Sequence, residues 1–133
     1  MVVGTLARLR VLFVDDDPSG LAQVQRLVRK KRDAWSMSFA ADASSAVSRL
    51  ETTWFDAVVT GCLAGTVGGI ELLHVVEARW PHVARVLLAK SLPPPHQMGP
   101  VHAFLLVPVE DDLVCDIVEE LATAAQEGHA LHG

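Results

Sequence analysis

Three consecutive carboxylates, Asp15-Asp16-Asp17, follow directly on the apolar run Val11-Leu12-Phe13-Val14 and lead into Pro18. Oxygen ligands at this density can hold a hard divalent cation such as Mg²⁺. They can equally cap a helix opening at Pro18, since acceptor side chains satisfy free N–H groups and negative charge suits the positive end of the dipole. Other chemistry is sparse. Among the six histidines, His74, His82, His96, His129 and His132 lack HxxxH or cysteine-paired spacing, which argues against zinc. His102 could change charge near neutrality or be an ordinary surface histidine. Cys62 and Cys115 sit in apolar contexts without CxxC spacing and read as small core residues. Thr60 and Cys62 are the nucleophiles nearest the end of one strand-like run; Thr60 is expected to point off the strand end and Cys62 into the core, and neither has an evident base. Trp35, Trp54 and Trp80 fall at element ends and read as packing or boundary residues.

The elements that must position these groups are bounded by composition. The chain has 133 residues, half of them hydrophobic, with a formal charge of -5. That length suits one domain, over residues 1–133, with one core. The acidic balance argues against nucleic acid, whose affinity rests on clustered Lys and Arg. The one basic run, Arg29-Lys30-Lys31-Arg32, closes a predicted helix, where cations suit the negative end. The first ten residues lack a long apolar stretch and a small-residue cleavage motif, which predicts neither a secretory signal nor a membrane span. A soluble protein of a reducing cytoplasm is the expectation.

Strand-like and helix-like periods alternate along the chain, the pattern of a parallel sheet with crossover helices on both faces. Strands are predicted over residues 10–14, 35–40, 55–60, 83–89 and 102–107. Helices are predicted from Pro18, from an Asp42 cap, from Gly69 to about Arg79 and from Asp111 to about Glu127, with a frayed tail over 128–133. Between the fourth and fifth strands the alternation demands a helix, yet Pro93-Pro94-Pro95 and Gly99-Pro100 stand there. Successive prolines remove backbone donors and cost about 3 kcal/mol each inside a helix. That helix is predicted to be absent or reduced to a turn.

Three segments carry a resemblance to a known family. Val11-Leu12-Phe13-Val14-Asp15-Asp16-Asp17-Pro18, then Phe55-Asp56-Ala57-Val58-Val59-Thr60 followed by Gly68-Gly69-Ile70-Glu71-Leu72-Leu73, then Phe104-Leu105-Leu106-Val107-Pro108, resemble in order and near-family spacing the CheY-like receiver domain of two-component response regulators. The likeness covers about residues 9–125. It implies a flavodoxin-like, doubly wound α/β fold with five parallel strands in the order 2-1-3-4-5.

Receiver chemistry, as the resemblance implies it, uses two acidic residues and an acceptor aspartate around Mg²⁺, a lysine that completes the charge clamp, a Thr or Ser that senses the phosphoryl group and an aromatic that follows it. Carried over residue by residue, Asp15 and Asp16 keep the acidic pair. Gly61 stands in the acceptor place, Ala89 in the Thr/Ser place, Val107 in the lysine place and His102 in the aromatic place, and Gly65 replaces the usual loop proline. Nucleophile, clamp and sensor are lost together, so a vestigial site is expected, drier and better packed than a working one, with Mg²⁺ bound weakly or not at all and one crowded carboxylate titrating high.

The resulting expectation is a non-enzymatic pseudo-receiver of a two-component or phosphorelay type pathway, working as a protein interaction module. Its predicted partner surface is Leu92, Pro93, Pro94, Pro95, His96, Met98, Val101 and His102, an apolar and pre-stiffened stretch on a face that the family uses for partners and homodimers. The alternative is a receiver-like sensor that takes a ligand or a divalent cation at Asp15 and Asp16. A catalytic enzyme on the same scaffold has no nucleophile and base pair to support it.

Overall fold

The computed structural model describes residues 8–61 and 66–132. Cys62 and Gly65, both weighed above, lie outside the described residues. Strand β1 is Leu9–Val14, followed by helix α1, Pro18–Lys31, strand β2, Trp35–Ala40, and helix α2, Ala43–Thr52. Strand β3, Ala57–Thr60, leads to helix α3, Thr66–Arg79, and strand β4, Ala84–Ala89, leads through a single 3₁₀ turn, Pro95–Gln97, to strand β5, Ala103–Leu106, and helix α4, Asp111–His132. The five strands form one parallel sheet in the order β2-β1-β3-β4-β5, as the sequence predicts, and the proline-rich stretch replaces the fourth helix with that one turn.

Alternation along each strand feeds two cores. Val11 and Phe13 of β1, Ala57 and Val59 of β3, and Val86 and Leu88 of β4 face α1 and α4, where they meet Val24, Leu27, Val114 and Val118. Leu12, Val14, Val58, Leu87 and Ala89 face α2 and α3, against Leu50, Ile70, Leu73 and Val76. Strands buried on both faces read as continuous apolar runs because neither side meets water. The Asp42 side chain caps α2 by accepting from the Ser45 N–H at 2.7 Å.

Two helix boundaries differ from expectation. Helix α3 starts at Thr66 rather than Gly69. Helix α4 runs to His132, past both the predicted end near Glu127 and Gly128, into the stretch expected to be frayed. A single glycine inside a helix costs only about 1 kcal/mol and does not end it. The basic run of α1 does more than cap its own helix. Lys30 pairs with Asp112 at 2.8 Å and Lys31 with Glu119 at 3.1 Å, and Arg26 with Asp111 at 2.9 Å, tying α1 to α4. Trp35 is buried, and its indole N–H donates to Glu119 at 3.3 Å.

Candidate functional site

Parallel pairing brings the carboxyl ends of four strands to one edge. The Gly61 N–H donates to the Val14 carbonyl at 2.8 Å, and the Val107 N–H to the Ala89 carbonyl at 2.9 Å. Asp15, Gly61, Ala89 and Val107 therefore stand at adjacent strand ends around a cavity of about 830 Å³, which they line together with Asp16 and Asp17. The expected drier, better packed pocket is not what is found. Ala89 is buried at its wall, but the short side chains at Gly61, Ala89 and Val107 leave the space in front of them open.

The Asp15 carboxylate lies directly against Gly61. A Cβ built on Gly61 would stand 2.8 Å from Asp15 Oδ2 and 2.9 Å from its Cγ, and one built on Gly20 would stand 2.0 Å from Oδ2. The carboxylate thus lies in a slot that exists because residues 20 and 61 have no side chains. Asp15 Oδ1 accepts from the Asp17 N–H at 2.8 Å, fixing the turn into α1. Burial raises the Asp15 carboxyl above its ordinary range; the Asp17 hydrogen bond opposes this, and the charges of Asp17 and Asp16 add to the rise. The expected high-titrating carboxylate is there, with desolvation rather than crowding as its main cause.

The loop after β3 is held just as closely. A Cβ on Gly69 would come within 2.3 Å of the Gly61 carbonyl oxygen, so α3 seats against β3 only with glycine at this position. Thr60 does not point off the strand end; it is fully buried, and its hydroxyl donates to the Gly61 carbonyl at 2.8 Å. A residue that the sequence reading passed over also reaches the cavity. Lys90, next after β4, approaches Asp17 at 3.5 Å and supplies a cation at this edge of the sheet. A charged residue directly after a strand that ends at the site is the signal that marks it.

No protein-family model matches the chain, and no curated protein matches it. Solved structures do. The signal receiver domain of an HD domain-containing protein from Pseudomonas fluorescens Pf-5 matches with a TM-score of 0.78 at 20% identity, covering 91% of this chain and 99% of that one. The chemotaxis response regulator CheY4 of Vibrio cholerae matches with 0.73 at 17%, covering 86% and 99%. The receiver domain of a sensor histidine kinase from Pseudomonas aeruginosa PAO1, whose structure has a magnesium ion coordinated in its active site cleft, matches with 0.73 at 17%, covering 88% and 99%. The chain has the CheY-like receiver fold.

A receiver's Mg²⁺ does not fit the residues present. Gly61 at the end of β3 offers no carboxylate, and Asp15 Oδ2 is turned into the slot beside Gly61 and Gly20. Among the described residues no three His, Cys, Asp or Glu side chains converge where a metal ion could be held.

The receiver fold's fourth connection is shaped by the sheet beneath it. Leu92 is 67% exposed, and Pro94, Pro95 and His96 are exposed with it. Pro93 is buried, and Met98 and Val101 pack half-buried against the α3 side of the core, so these three anchor the segment instead of presenting it. His102 precedes β5, and the aromatic on the strand itself is Phe104, paired across from Leu87 and packed on the same core. His102 therefore stands just outside β5, not on it as the predicted strand over 102–107 had it. Leu106, which alternation turns to the side that lacks a fourth helix, is 56% exposed.

Arg85 is the other residue that the reading missed, hidden in a strand apolar almost throughout. It is 5% exposed and donates through Nε to the Pro100 carbonyl at 2.7 Å, and through Nη1 to the carbonyls of Pro81 at 2.9 Å and Val83 at 3.1 Å. Its burial is compensated by carbonyls, with the Glu77 carboxylate at 3.8 Å. Desolvation lowers the guanidinium pKa, and Glu77 opposes this. No helix among the described residues is long and apolar enough to cross a membrane.

Proposed function

We propose that this chain is a pseudo-receiver that is not phosphorylated and acts as a protein interaction module in a two-component type of signalling pathway. One observation carries the reading: the Asp15 carboxylate occupies the room that any side chain at residue 61 would need. The site therefore lacks the acceptor's space as well as the acceptor. The sensor and clamp places, Ala89 and Val107, are apolar, so a transferred phosphoryl group would meet neither the hydroxyl nor the cation that stabilise it in the family. A module without a switchable charge can still present one surface constantly.

That surface is the exposed part of the fourth connection, Leu92, Pro94, Pro95 and His96, together with the exposed Leu106 of β5. Prolines held by buried anchors lose little entropy on binding, and an apolar exposed stretch favours a protein partner or a second copy of the chain. The test is a pull-down from native extract with wild-type bait and with Leu92→Glu/Pro94→Glu bait, alongside light scattering of both. Partners, or a dimer, lost with the double variant support the surface; identical partners and mass with both baits refute it.

A second reading rests on the cavity of about 830 Å³ beside Asp15, Asp16 and Lys90, which is large enough for a small ligand. Titrating Mg²⁺ together with a phosphate mimic while following the Asp15, Asp16 and Gly61 amides separates the two. Saturable shifts at millimolar concentration favour a ligand-regulated receiver.

A further inference from the structure

Both ring nitrogens of His102 face the same arginine. The Arg85 backbone N–H donates to His102 Nδ1 at 3.0 Å, and His102 Nε2 stands 3.1 Å from Arg85 Nη2. The His102 N–H in turn donates to the Arg85 carbonyl at 2.9 Å, the contact that brings the chain into β5. The same guanidinium holds the Pro100 carbonyl through Nε. One arginine therefore links the histidine, the entry to β5 and the end of the proline-rich connection.

We infer that His102 is a proton-sensitive latch that holds the proline-rich connection down while its ring is neutral. This rests on the reading of that connection as the interaction surface and adds its regulation. A neutral imidazole has one lone pair, which accepts from the Arg85 N–H at Nδ1 while its Nε2–H faces Nη2 at 3.1 Å; an imidazolium has no lone pair for either donor. Protonation places N–H against N–H at 3.0 Å and sets a second positive charge beside the guanidinium. The charged groups facing the ring are Arg85 from β4 and Glu77 from α3. Glu77 is half exposed and 3.8 Å from the guanidinium, so water screens its favourable effect.

The direction of titration agrees. Burial first, then the Arg85 charge, lower the His102 pKa below its ordinary value, with Glu77 opposing. A group whose folded pKa is lowered contributes stability that is present above its unfolded pKa and lost as pH falls through the folded one. The latch is closed at neutral pH and opens on acidification. Opening loosens the Pro100 anchor and with it the end of the connection that leads through Val101 into β5.

The test uses the full chain without a partner. Amide protection, corrected for the intrinsic pH dependence of exchange, is followed between about pH 7.5 and 5 for wild type and His102→Asn. Asparagine keeps an acceptor near the Nδ1 position and cannot be protonated there. The latch requires wild type to lose protection at Arg85, His102 and Val101 while β1 and β3 keep theirs, and the variant to keep protection throughout. Equal pH dependence in both chains, or none in wild type, overturns it. Should His102→Asn fail to fold, the wild-type ring resonances decide. The latch then requires His102 to protonate below the ordinary histidine range of about 6.5, with the Arg85 amide shift following the same midpoint. A midpoint at or above that range, or an Arg85 amide that ignores it, overturns the latch. With no partner present, such a failure leaves the binding surface to be judged by the pull-down, and failure of the pull-down leaves this titration unaffected.

Discussion

Gly61 and Asp15 form a single unit, and restoring one residue does not restore the site. In Gly61→Asp the new Cβ alone meets Asp15 atoms at 2.8 to 3.0 Å, and two carboxylates then compete for one slot. Overpacking and like-charge repulsion together are expected to cost roughly 1–3 kcal/mol, read as a lower denaturant midpoint with unchanged slope. Acetyl phosphate should not label the variant at ordinary rates, because Ala89 and Val107 leave the transferred group unclamped; efficient labelling by mass spectrometry contradicts this. Asp15 yields a second expectation. Its folded pKa is raised, so ionisation costs stability: the contribution is full below about pH 3.8, the unfolded value, and is lost as pH rises through the folded pKa. Asp15→Asn keeps the Oδ1 acceptor for the Asp17 N–H and removes the charge. It should leave the protein equally or more stable at pH 7, by up to about 1 kcal/mol because water screens a half-exposed group, and should abolish that loss on raising pH. A destabilised Asp15→Asn with an unchanged pH profile rules out this account of the slot.

The elements show what a sequence can and cannot announce. Strands β1, β3 and β4 were legible because strands buried on both faces are apolar almost throughout, and the missing fourth helix was legible because Pro93-Pro94-Pro95 cannot donate to one. The acidic run after β1 could be read from order and spacing, and Gly61, Ala89 and Val107, named through the resemblance, line the same cavity as that run. Lys90, Arg85 and Phe104 could not, since their roles depend on which strand end or strand face meets which neighbour, and this register appears only when the sheet forms. The ion pairs between α1 and α4 belong to the same class: Lys31 reaches Glu119 across more than eighty residues of chain. In a double-mutant cycle, Lys31→Met with Glu119→Gln should give a coupling of about 0.2–1 kcal/mol that shrinks in high salt, as a partly exposed pair does. A larger, salt-insensitive coupling would show that the pair is shielded from solvent and is not an ordinary surface ion pair.

For the whole molecule, the decisive quantity is a difference in affinity between two shapes. A ligand shifts an equilibrium only by as much as it prefers one state, and moving a population from about 1:99 to 99:1 takes about 5.5 kcal/mol. Receivers obtain that difference from a new charge held by cation, lysine and hydroxyl. In this chain the edge of the sheet presents Gly61, Ala89 and Val107, none of which carries a charge or a hydroxyl, with Asp15 turned into the slot. Across β4, the side that would relay the change is fixed by Leu87, Phe104 and the anchored connection. Millimolar Mg²⁺ with beryllofluoride should therefore leave the amide spectrum of the wild type unchanged from Gly61 through β4 to β5, with any shifts confined to the exposed Asp16 and its neighbours. Saturable shifts running together from Gly61 to Phe104 and Leu106 would mean that a second shape exists and that the cavity selects it. The fold would then be signalling through that cavity, and the surface proposed for the fourth connection would answer to a ligand bound there.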